Sequence, residues 1–275
     1  MTDGTRGPDG RPEVSVICCT LAAADEIETL RVLAADGFDD YEVVLRRDEG
    51  LCAARNAGIR EARADKLVFL DDDAVPEPGY LAAASTALDD AAVVAGRVHN
   101  SLPEDHVLAG FAPHYDQGDE RAPASSITGC NMAFRREAVE TVGGFDERIE
   151  WGHDETDLLR RLRDAGYDAL YEPGMAVTHP YATSVVDYWR KMYRFGSADV
   201  YLDTKWGVPL SRQLFELLIP FRLTWPPRAA AVEAVGTFLR NVSKARSFRE
   251  RYRAGRRARA ELSETPRTVA VPAGE

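Results

Sequence analysis

Three predicted β-strands alternate with two predicted helices in the first 70 residues, and this order constrains the fold more than any other feature. VSVICCT (14–20), YEVVL (41–45) and LVFL (67–70) are short apolar runs typical of buried strands. Segments 25–36 and 51–64, which lie between them, carry apolar residues near helical spacing. The alternation predicts a parallel sheet with crossover helices, and ligands of such sheets bind at the carboxyl ends of the strands.

Three consecutive aspartates, Asp71, Asp72 and Asp73, follow the third of these strands, and Pro76 and Pro78 prevent the strand from continuing. Crowded carboxylates repel one another and raise one another's pKa values. A hard divalent cation such as Mg²⁺ or Mn²⁺ takes oxygen ligands and would relieve this repulsion. Aspartate is also common in turns after strands, so the triplet alone leaves a metal site and a capped turn equally open.

The downstream pattern continues the alternation and then becomes helical. The predicted elements are a helix at 79–90, a strand at 91–98, a long loop or lid at 99–125, a strand at 127–134 with a short helix from Arg135, a capped amphipathic helix at 153–166, short strands at 167–173 and 175–179, and helices from Ser184 with breaks at Pro209, Pro220 and Pro226–Pro227.

The net charge of −11 argues against general nucleic-acid binding. The charge is unevenly spread, because residues 206–275 hold 13 basic and 6 acidic residues, a net of +7, whereas residues 1–205 have a net charge of −18. Such an asymmetry indicates a boundary between two functionally different regions.

The four cysteines, Cys18, Cys19, Cys52 and Cys130, lack the CxxC spacing of a zinc site and favour a reducing compartment. The N-terminal segment has no apolar core of a signal peptide, and no run reaches 18 apolar residues. We therefore expect a cytoplasmic protein without a spanning helix.

Four motifs in order, ARNAG (54–58), FLDDD (69–73), DETD (154–157) and AVTHP (176–180), resemble family 2 glycosyltransferases of the inverting kind. The resemblance runs from about Val14 to about Pro180. It implies the GT-A fold, an α/β architecture with a mixed, mostly parallel sheet flanked by helices, here with a helical C-terminal extension. It also implies metal-dependent transfer of a sugar from a UDP- or GDP-linked donor to a glycan or a polyprenyl-phosphate-linked acceptor.

The resemblance assigns roles on the donor side. Asp71 would contact the nucleoside side of the donor with Asp72 beside it, and Asp73 would bind a Mg²⁺ or Mn²⁺ ion on the diphosphate. A histidine after the later strand, here His179, completes such metal sites, although a lone histidine is also commonly a buried, hydrogen-bonded one. Thr20 resembles a position beside the nucleobase.

Two further positions, one arginine and one aspartate, complete the predicted donor-binding set. Arg55 resembles a residue near the pyrophosphate, where a bidentate contact is apt, although a solvated helix charge fits equally. The family's nucleobase-recognising aspartate usually comes just after the second strand, where this sequence has Arg46 and Arg47 before Asp48. Asp48 would serve one or two positions late, which leaves the identity of the base open.

The DETD motif resembles the acidic motif that carries the family's general base. One base must remove a proton from the acceptor hydroxyl, and the first two acids stand in swapped order here, so Glu155 and Asp154 both remain candidates. Asp157 would brace the start of the helix, and capping alone would also explain acids there. His153 and Trp151 are expected to line the acceptor pocket.

The predicted organisation is a disordered segment at 1–12, a GT-A catalytic domain at 13–182 and a helical, basic region at 183–275. The last region combines apolar residues with the run RSFRERYRAGRRAR (246–259), a combination that fits an anionic membrane surface, here the cytoplasmic face. Packing of these helices on the domain or on a second copy is the alternative.

Two rival functions remain at the level of sequence. A sugar-nucleotide nucleotidyltransferase also places carboxylates and a metal at strand ends, but LAAADE (21–26) lacks the glycines and basic residues of a triphosphate-binding loop. The other rival is a non-catalytic module that binds glycan or scaffolds a complex, for which only the displaced Asp48 argues.

Overall fold

Within the described part of the chain, the central sheet is mixed and has eight strands. The computed structural model describes residues 10–218 and 227–264. The strands are β1 (Val14–Cys19), β2 (Tyr41–Arg46), β3 (Lys66–Leu70), β4 (Val75–Pro76), β5 (Val93–His99), β6 (Ala122–Pro123), β7 (Asn131–Arg135) and β8 (Ala169–Thr178). The helices are α1 (Glu28–Leu33), α2 (Leu51–Glu61), α3 (Tyr80–Asp90), α4 (Arg136–Thr141), α5 (Asp154–Asp164), α6 (Val185–Lys205), α7 (Leu210–Leu217) and α8 (Pro227–Glu264).

The strand order is β2-β1-β3-β7-β5-β8-β4, with β6 paired to β8 off this path. Strands β1, β2 and β3 are parallel, β7 is antiparallel to both β3 and β5, and β5 runs parallel to β8. The carboxyl ends of β1, β3, β5 and β8 therefore meet at one edge of the sheet. The predicted α/β class with a mixed sheet is confirmed, and five of the eight described strands, β1, β2, β3, β5 and β8, run in the same direction.

Apolar side chains cover both faces of the sheet because strand residues alternate in direction. In β3, Leu67 and Phe69 belong to one apolar cluster, and Val68 and Leu70 to another. A strand buried on both faces reads as a continuous apolar run, which explains why LVFL was recognisable in the sequence.

Several predicted element boundaries are wrong, and each has a local reason. The helix expected at 25–36 is a 3₁₀ turn (Ala24–Glu26) followed by the short α1, because Ile27 adopts an extended backbone and is buried. The two strands expected at 167–173 and 175–179 are one strand, β8, whose pairing with β5 shifts register at Gly96/Arg97. The buried Asn131 amide stabilises this irregularity by donating to the carbonyls of Arg97 and Met175.

Smaller corrections concern the predicted loop and the strand after it. The loop expected at 99–125 contains a 3₁₀ turn (Pro113–Tyr115) and the two-residue β6. The strand expected at 127–134 starts only at Asn131, whose amide closes a turn on the Thr128 carbonyl at 2.9 Å. The expected break at Pro209 is confirmed, because α6 ends before it and α7 begins directly after it. The breaks expected at Pro220 and Pro226 lie outside the described residues.

The C-terminal helices share a core with the sheet. Ala198 and Tyr201 of α6 and Ala258 of α8 belong to the same buried apolar cluster as Phe69 of β3. Helices α6 and α8 lie very close together, since a Cβ atom at Gly255 would stand 2.6 Å from the Tyr201 carbonyl oxygen. The proposed division at residue 182/183 stays a prediction, and the segment 1–9 lies outside the described residues.

A buried ion cluster ties α6 to Asp146 and to the first turn of α5. The Lys205 ammonium lies 2.7 Å from a carboxylate oxygen of Asp146 and 2.7 Å from one of Asp157. Trp206 donates its indole N–H to Asp157 at 3.0 Å. Asp157, in the first turn of α5, therefore fixes this helix against α6.

In the parts of the chain that the structure describes, no helix is both long and apolar enough to cross a bilayer.

Candidate active site

The three aspartates after β3 diverge from one tight turn. The Thr29 hydroxyl lies within hydrogen-bond distance of the main-chain carbonyls of Asp71, Asp72 and Ala74, and the Ala74 amide donates back to the Asp71 carbonyl at 3.2 Å. The Thr29 hydroxyl thus fixes the main chain of the turn, and the three carboxylates point to different partners. This divergence relieves much of the repulsion expected from three adjacent charges.

Each aspartate pairs with a different element of the fold. Asp73 accepts a contact from Nε2 of His179, which follows β8, at 3.2 Å. Asp72 accepts a hydrogen bond from the hydroxyl of Thr20, which follows β1. Asp71 lies 3.6 Å from the guanidinium of Arg55 in α2.

Asp71, Asp73 and His179 form a group that could hold a metal ion. One ligand atom from each residue lies within 4.8 Å of the other two. Two carboxylate oxygens and one imidazole nitrogen are a donor set that suits a divalent cation. The hydrogen bond from His179 lowers the pKa of Asp73, so this carboxylate is ionised at neutral pH. The donor set fits the cation that the sequence predicts.

Arg55 and Asp154 form a buried pair. The Arg55 side chain is 4% exposed and that of Asp154 2%, and the guanidinium also donates to the Gly129 carbonyl at 2.9 Å. Burial opposes the charge on Arg55, but Asp154 and then Asp71 raise the pKa of its guanidinium. Arg55 thus links the aspartate turn to the start of α5, and Asp154 is enclosed by protein.

Glu155, the next residue, is half-buried and lines a cavity of about 1160 Å³. Burial, with the charge of Asp154 added, raises the pKa of Glu155 to about 7. A carboxylate with this pKa is poised to accept a proton near neutral pH. The first two acids of DETD thus have different environments.

The backbone just before α5 adopts an unusual conformation. His153 has φ of 62° and is the one non-glycine residue with positive φ in the described chain, and Gly152 before it has φ of 74°. Such a conformation is costly for a residue with a Cβ atom and persists where the surroundings enforce it. The His153 ring stacks on Phe195 of α6, with ring centroids 4.3 Å apart.

Three further residues, which lie on α6 and α8 and were not indicated by the sequence motifs, surround His153. Asp199 of α6 lies 3.4 Å from His153 Nε2, and Arg240 of α8 forms a bidentate pair with Asp199 at 2.5 and 2.6 Å. Lys244 adds a second cation at 3.3 Å from Asp199. They are 46 to 91 residues away from His153 in sequence, so only an indication that α6 and α8 pair could have suggested them.

Lys191 of α6 is a half-buried cation near both the aspartate turn and Glu155. It donates to the Tyr181 carbonyl at 2.6 Å. Burial lowers the pKa of Lys191, while nearby acidic groups, Asp71 and Glu155 among them, oppose this shift. Arg55, which contacts both Asp71 and Asp154, connects the metal-capable group to the start of α5, where Glu155 lies.

The remaining predicted residues lie at the periphery of this region. Asp48 follows β2 and forms a bidentate pair with Arg46 at 2.7 Å for both contacts. Trp151 packs against Phe195 with ring centroids 5.1 Å apart. Thr20 also accepts the Ala22 amide at 2.9 Å, which turns the chain away from the end of β1.

Comparisons with known proteins identify a family whose members this chain resembles in sequence. Residues 7–197 match the family model described as "Glycosyltransferase like family 2". A pre-mycofactocin glycosyltransferase of Mycobacterium tuberculosis is 33% identical over 172 residues, which are 58% of this chain and 36% of that protein. Glycosyltransferase AglE of Haloferax volcanii is 27% identical over 172 residues, 59% of this chain and 55% of that protein. The chain spans between about a third and just over half of the length of these relatives.

A solved structure shares the fold. Mannosyltransferase PcManGT from Pyrobaculum calidifontis, solved in complex with GDP-Man and Mn²⁺, superimposes with a TM-score of 0.52. The two sequences are 19% identical, and the match covers 95% of this chain and 81% of that one.

Proposed function

The chain belongs to glycosyltransferase-like family 2 and has the GT-A fold, and from this premise we propose that it transfers a sugar from a UDP- or GDP-linked donor to an acceptor hydroxyl with inversion. The observation that carries the proposal is that two sets of groups lie in one region. Asp71, Asp73 and His179 form a metal-capable group at the edge of the sheet, and Arg55 connects Asp71 to Asp154, the neighbour of the cavity-lining Glu155. Family membership favours this reaction over nucleotidyl transfer.

On the donor side, Asp71, Asp73 and His179 would hold Mg²⁺ or Mn²⁺. When bound, the cation supplies positive charge that stabilises the diphosphate leaving group. Thr20 and Asp72 lie beside this group and would orient the nucleoside, with Asp48 further along the same edge. Arg55 reaches the donor side through Asp71, so its contribution is to position Asp71 and Asp154.

On the acceptor side, Glu155 is the general base and Asp154 a positioning residue. Inversion in one displacement needs a base on the face of the sugar opposite the leaving group, and Glu155 is the member of DETD that lines the cavity. Its carboxylate takes the proton of the acceptor hydroxyl while the hydroxyl oxygen bonds to the anomeric carbon and the bond to the diphosphate breaks. Asp154 has its charge satisfied by Arg55.

The lining of the cavity favours an acceptor whose reacting end is uncharged. Among the residues that the structure describes, seven carboxylate side chains line it, against the basic side chains of Arg240 and Lys244, which both contact Asp199. An anionic group would be repelled there. Tyr181, Tyr188 and Phe195 also line the cavity and offer faces on which a sugar ring packs. A glycan hydroxyl is therefore favoured over a polyprenyl phosphate as the group that reacts.

Release of the nucleoside diphosphate tests the proposal. The purified chain is incubated with a panel of UDP- and GDP-linked sugars, including GDP-mannose, and with Mn²⁺ or Mg²⁺. We expect one donor to be hydrolysed slowly without acceptor and faster with a glycoside acceptor. Removal of the cation with EDTA should stop release, and added Mn²⁺ should restore it. If no donor is bound or consumed, the non-catalytic glycan-binding or scaffold role replaces the enzyme.

We also propose that the chain acts at the cytoplasmic face of a membrane, attached by its basic C-terminal region. The net charge of +7 in residues 206–275, against −18 in the remainder, supports this attachment. An acceptor glycan on a lipid anchor would then be brought to the cavity.

A further inference from the structure

The outer face of α8 carries a stripe of arginines. Buried residues of this helix, including Arg251 and Ala258, face the rest of the molecule. At 3.6 residues per turn, five exposed arginines on the opposite side fall within an arc of about 100°. Among the described residues, none of the five has a carboxylate within ion-pair distance. They are Arg246, Arg249, Arg253, Arg256 and Arg257.

Apolar side chains continue the same stripe toward the start of α8 and beside it on α7. Val235 and Phe238 fall within the same arc and are 40% and 57% exposed. Helix α7 presents an exposed apolar row along most of its length. This row consists of Leu210, Leu214, Phe215 and, just past the end of the helix, Leu218.

Contacts at both ends of α7 place it alongside α8. Near the end of α7, Asn241 of α8 donates its amide to the Glu216 carbonyl at 3.4 Å. At the start of α7, Leu210 lines a groove together with Arg256 and Arg259 of α8. The apolar row and the arginine stripe are therefore neighbours on one surface.

We propose that this surface, the apolar row of α7 with the arginine stripe of α8, is a docking surface for a bilayer with anionic headgroups. Four large apolar side chains exposed on about two turns of helix are costly in water and suit the acyl boundary. Arginines beside them would lie at the level of the phosphates. Nucleic acid would leave the apolar row in water.

The surface also has a defined relation to the cavity. Glu233, Thr237 and Arg240 of α8 line the cavity, and they point away from the arginine stripe by more than a quarter turn. Glu216 of α7 lines the same cavity. The two helices that would rest on the bilayer thus form one wall of the cavity. This deepens the proposed membrane attachment and rests on the proposed function only in assigning a lipid-anchored acceptor.

Vesicle flotation with the full chain tests the surface. Vesicles of phosphatidylcholine alone are compared with vesicles that also contain phosphatidylglycerol, and we expect flotation only with the anionic vesicles and weakening by salt. An arginine near such a surface contributes about a fivefold change in binding. Arg249→Glu with Arg253→Glu should therefore weaken binding more than about 25-fold.

Two further variants separate charge from surface chemistry. Arg31→Glu with Arg60→Glu changes the net charge equally on the catalytic part, and we expect it to retain vesicle binding. Leu214→Gln with Phe215→Gln should weaken binding while leaving the charge unchanged. Each variant is checked for its melting temperature and for release of nucleoside diphosphate without vesicles, which reports folding and the proposed reaction independently of lipid.

Three results would overturn the proposal. The first is equal flotation with neutral and anionic vesicles, and the second is equal loss in the α8 variant and its charge-matched control. The third is absence of flotation by a folded chain that forms dimers through this surface, detected as a loss of dimer in Leu214→Gln with Phe215→Gln. That last result would assign the surface to a second copy.

Discussion

Two regions of the proposed site are built in different ways. The first, called the donor edge, is the edge of the sheet that carries Asp71, Asp73 and His179. The second, called the helical side, is the part of the cavity wall formed by α6 and α8. At the donor edge, Asp71 and His179 directly follow strand ends that the backbone ladder brings together. On the helical side, Phe195 and Asp199 of α6 and Arg240 of α8 meet His153 only because two long helices pack closely.

From this difference we infer that the donor edge serves the reaction and that the helical side serves recognition of the acceptor. Groups at the donor edge are held by hydrogen bonds within a rigid sheet, a construction that suits a metal and a diphosphate. The helical side is held by side-chain packing and can be altered without moving the strand ends. We therefore expect changes at the donor edge and at Glu155 to abolish turnover, and changes in α6 and α8 to alter stability or acceptor use.

The largest expected effect is on turnover in Glu155→Gln. Loss of a general base lowers the rate by about 10²- to 10⁴-fold. The amide keeps the shape of the side chain, so donor affinity measured by calorimetry should remain close to that of the wild type. Asp164→Asn, the same carboxylate-to-amide change at an exposed position of α5, is the control and should keep full turnover. A loss of less than tenfold in Glu155→Gln would remove Glu155 from the role of base.

The second effect concerns stability and tests whether Arg55 positions the site. Arg55→Met leaves Asp154 as an unpaired buried charge, which costs about 3 to 5 kcal/mol of the free energy of unfolding. Arg60→Met, in the same helix but exposed, should change it by less than about 0.5 kcal/mol. Urea unfolding measures both. Equal values for the two variants would mean that the buried pair adds nothing.

The third effect distinguishes neighbouring aspartates at the donor edge. Asp73→Asn removes a member of the metal-capable group and should weaken Mn²⁺ binding in the presence of GDP or UDP by at least about tenfold. Asp72→Asn should change cation affinity far less, because Asp72 bonds to Thr20 outside that group. Titration of the Mn²⁺ electron paramagnetic resonance signal reports free cation directly. A larger loss of Mn²⁺ affinity in Asp72→Asn than in Asp73→Asn would mean that Asp72, and not Asp73, binds the cation.

The residues of the donor edge could be predicted from the sequence, whereas the pairing of Arg55 with Asp154 could not. Apolar runs followed directly by Asp71 and by His179 mark the strand ends, and parallel strands bring such ends together. The partner of Arg55 stands 99 residues later in the chain. Neighbouring motifs identified both residues but could not show that they neutralise each other, nor that Asp154 faces inward.

The helical side was predicted only as helix. Helical periodicity in a sequence does not say which helix a given face will meet, so the cluster of His153, Asp199 and Arg240 was missed. The break of the predicted helix at Ile27 was missed for a related reason, because burial of one side chain outweighed local propensity. Ile219, Phe221, Leu223 and Trp225, apolar residues of the region predicted to bind a membrane, lie outside the described residues.

A fourth prediction probes the packing of the two helices. A Cβ atom at Gly196 of α6 would collide with the Arg240 carbonyl of α8, so Gly196→Ala should lower the free energy of unfolding by about 1 to 3 kcal/mol. Gly110→Ala is the matched control, because nothing lies within 4 Å of its added methyl group. Cation affinity at the donor edge should remain unchanged in both variants. A loss of cation affinity in Gly196→Ala would show that the two regions are coupled.

The smallest expected effect is that of pH, and it tests Glu155 without mutation. Because the pKa of Glu155 is raised to about 7, the base is protonated in acid. Turnover should fall about tenfold for each pH unit below this value and level off above it. The residual activity of Glu155→Gln should lack this dependence, and a wild-type profile that stays flat through neutrality would contradict the assignment.

The same pKa makes a prediction for stability, with the opposite dependence on pH. Between the ordinary glutamate value of about 4.3 and the folded value of about 7, the folded chain retains a proton that the unfolded chain has released. The contribution of Glu155 to stability is therefore present at low pH and is lost as pH rises through this window. Glu155→Gln abolishes that contribution. The difference in melting temperature between variant and wild type, measured without cation, should thus shift in favour of the variant as pH rises, and a constant difference would mean that Glu155 titrates normally.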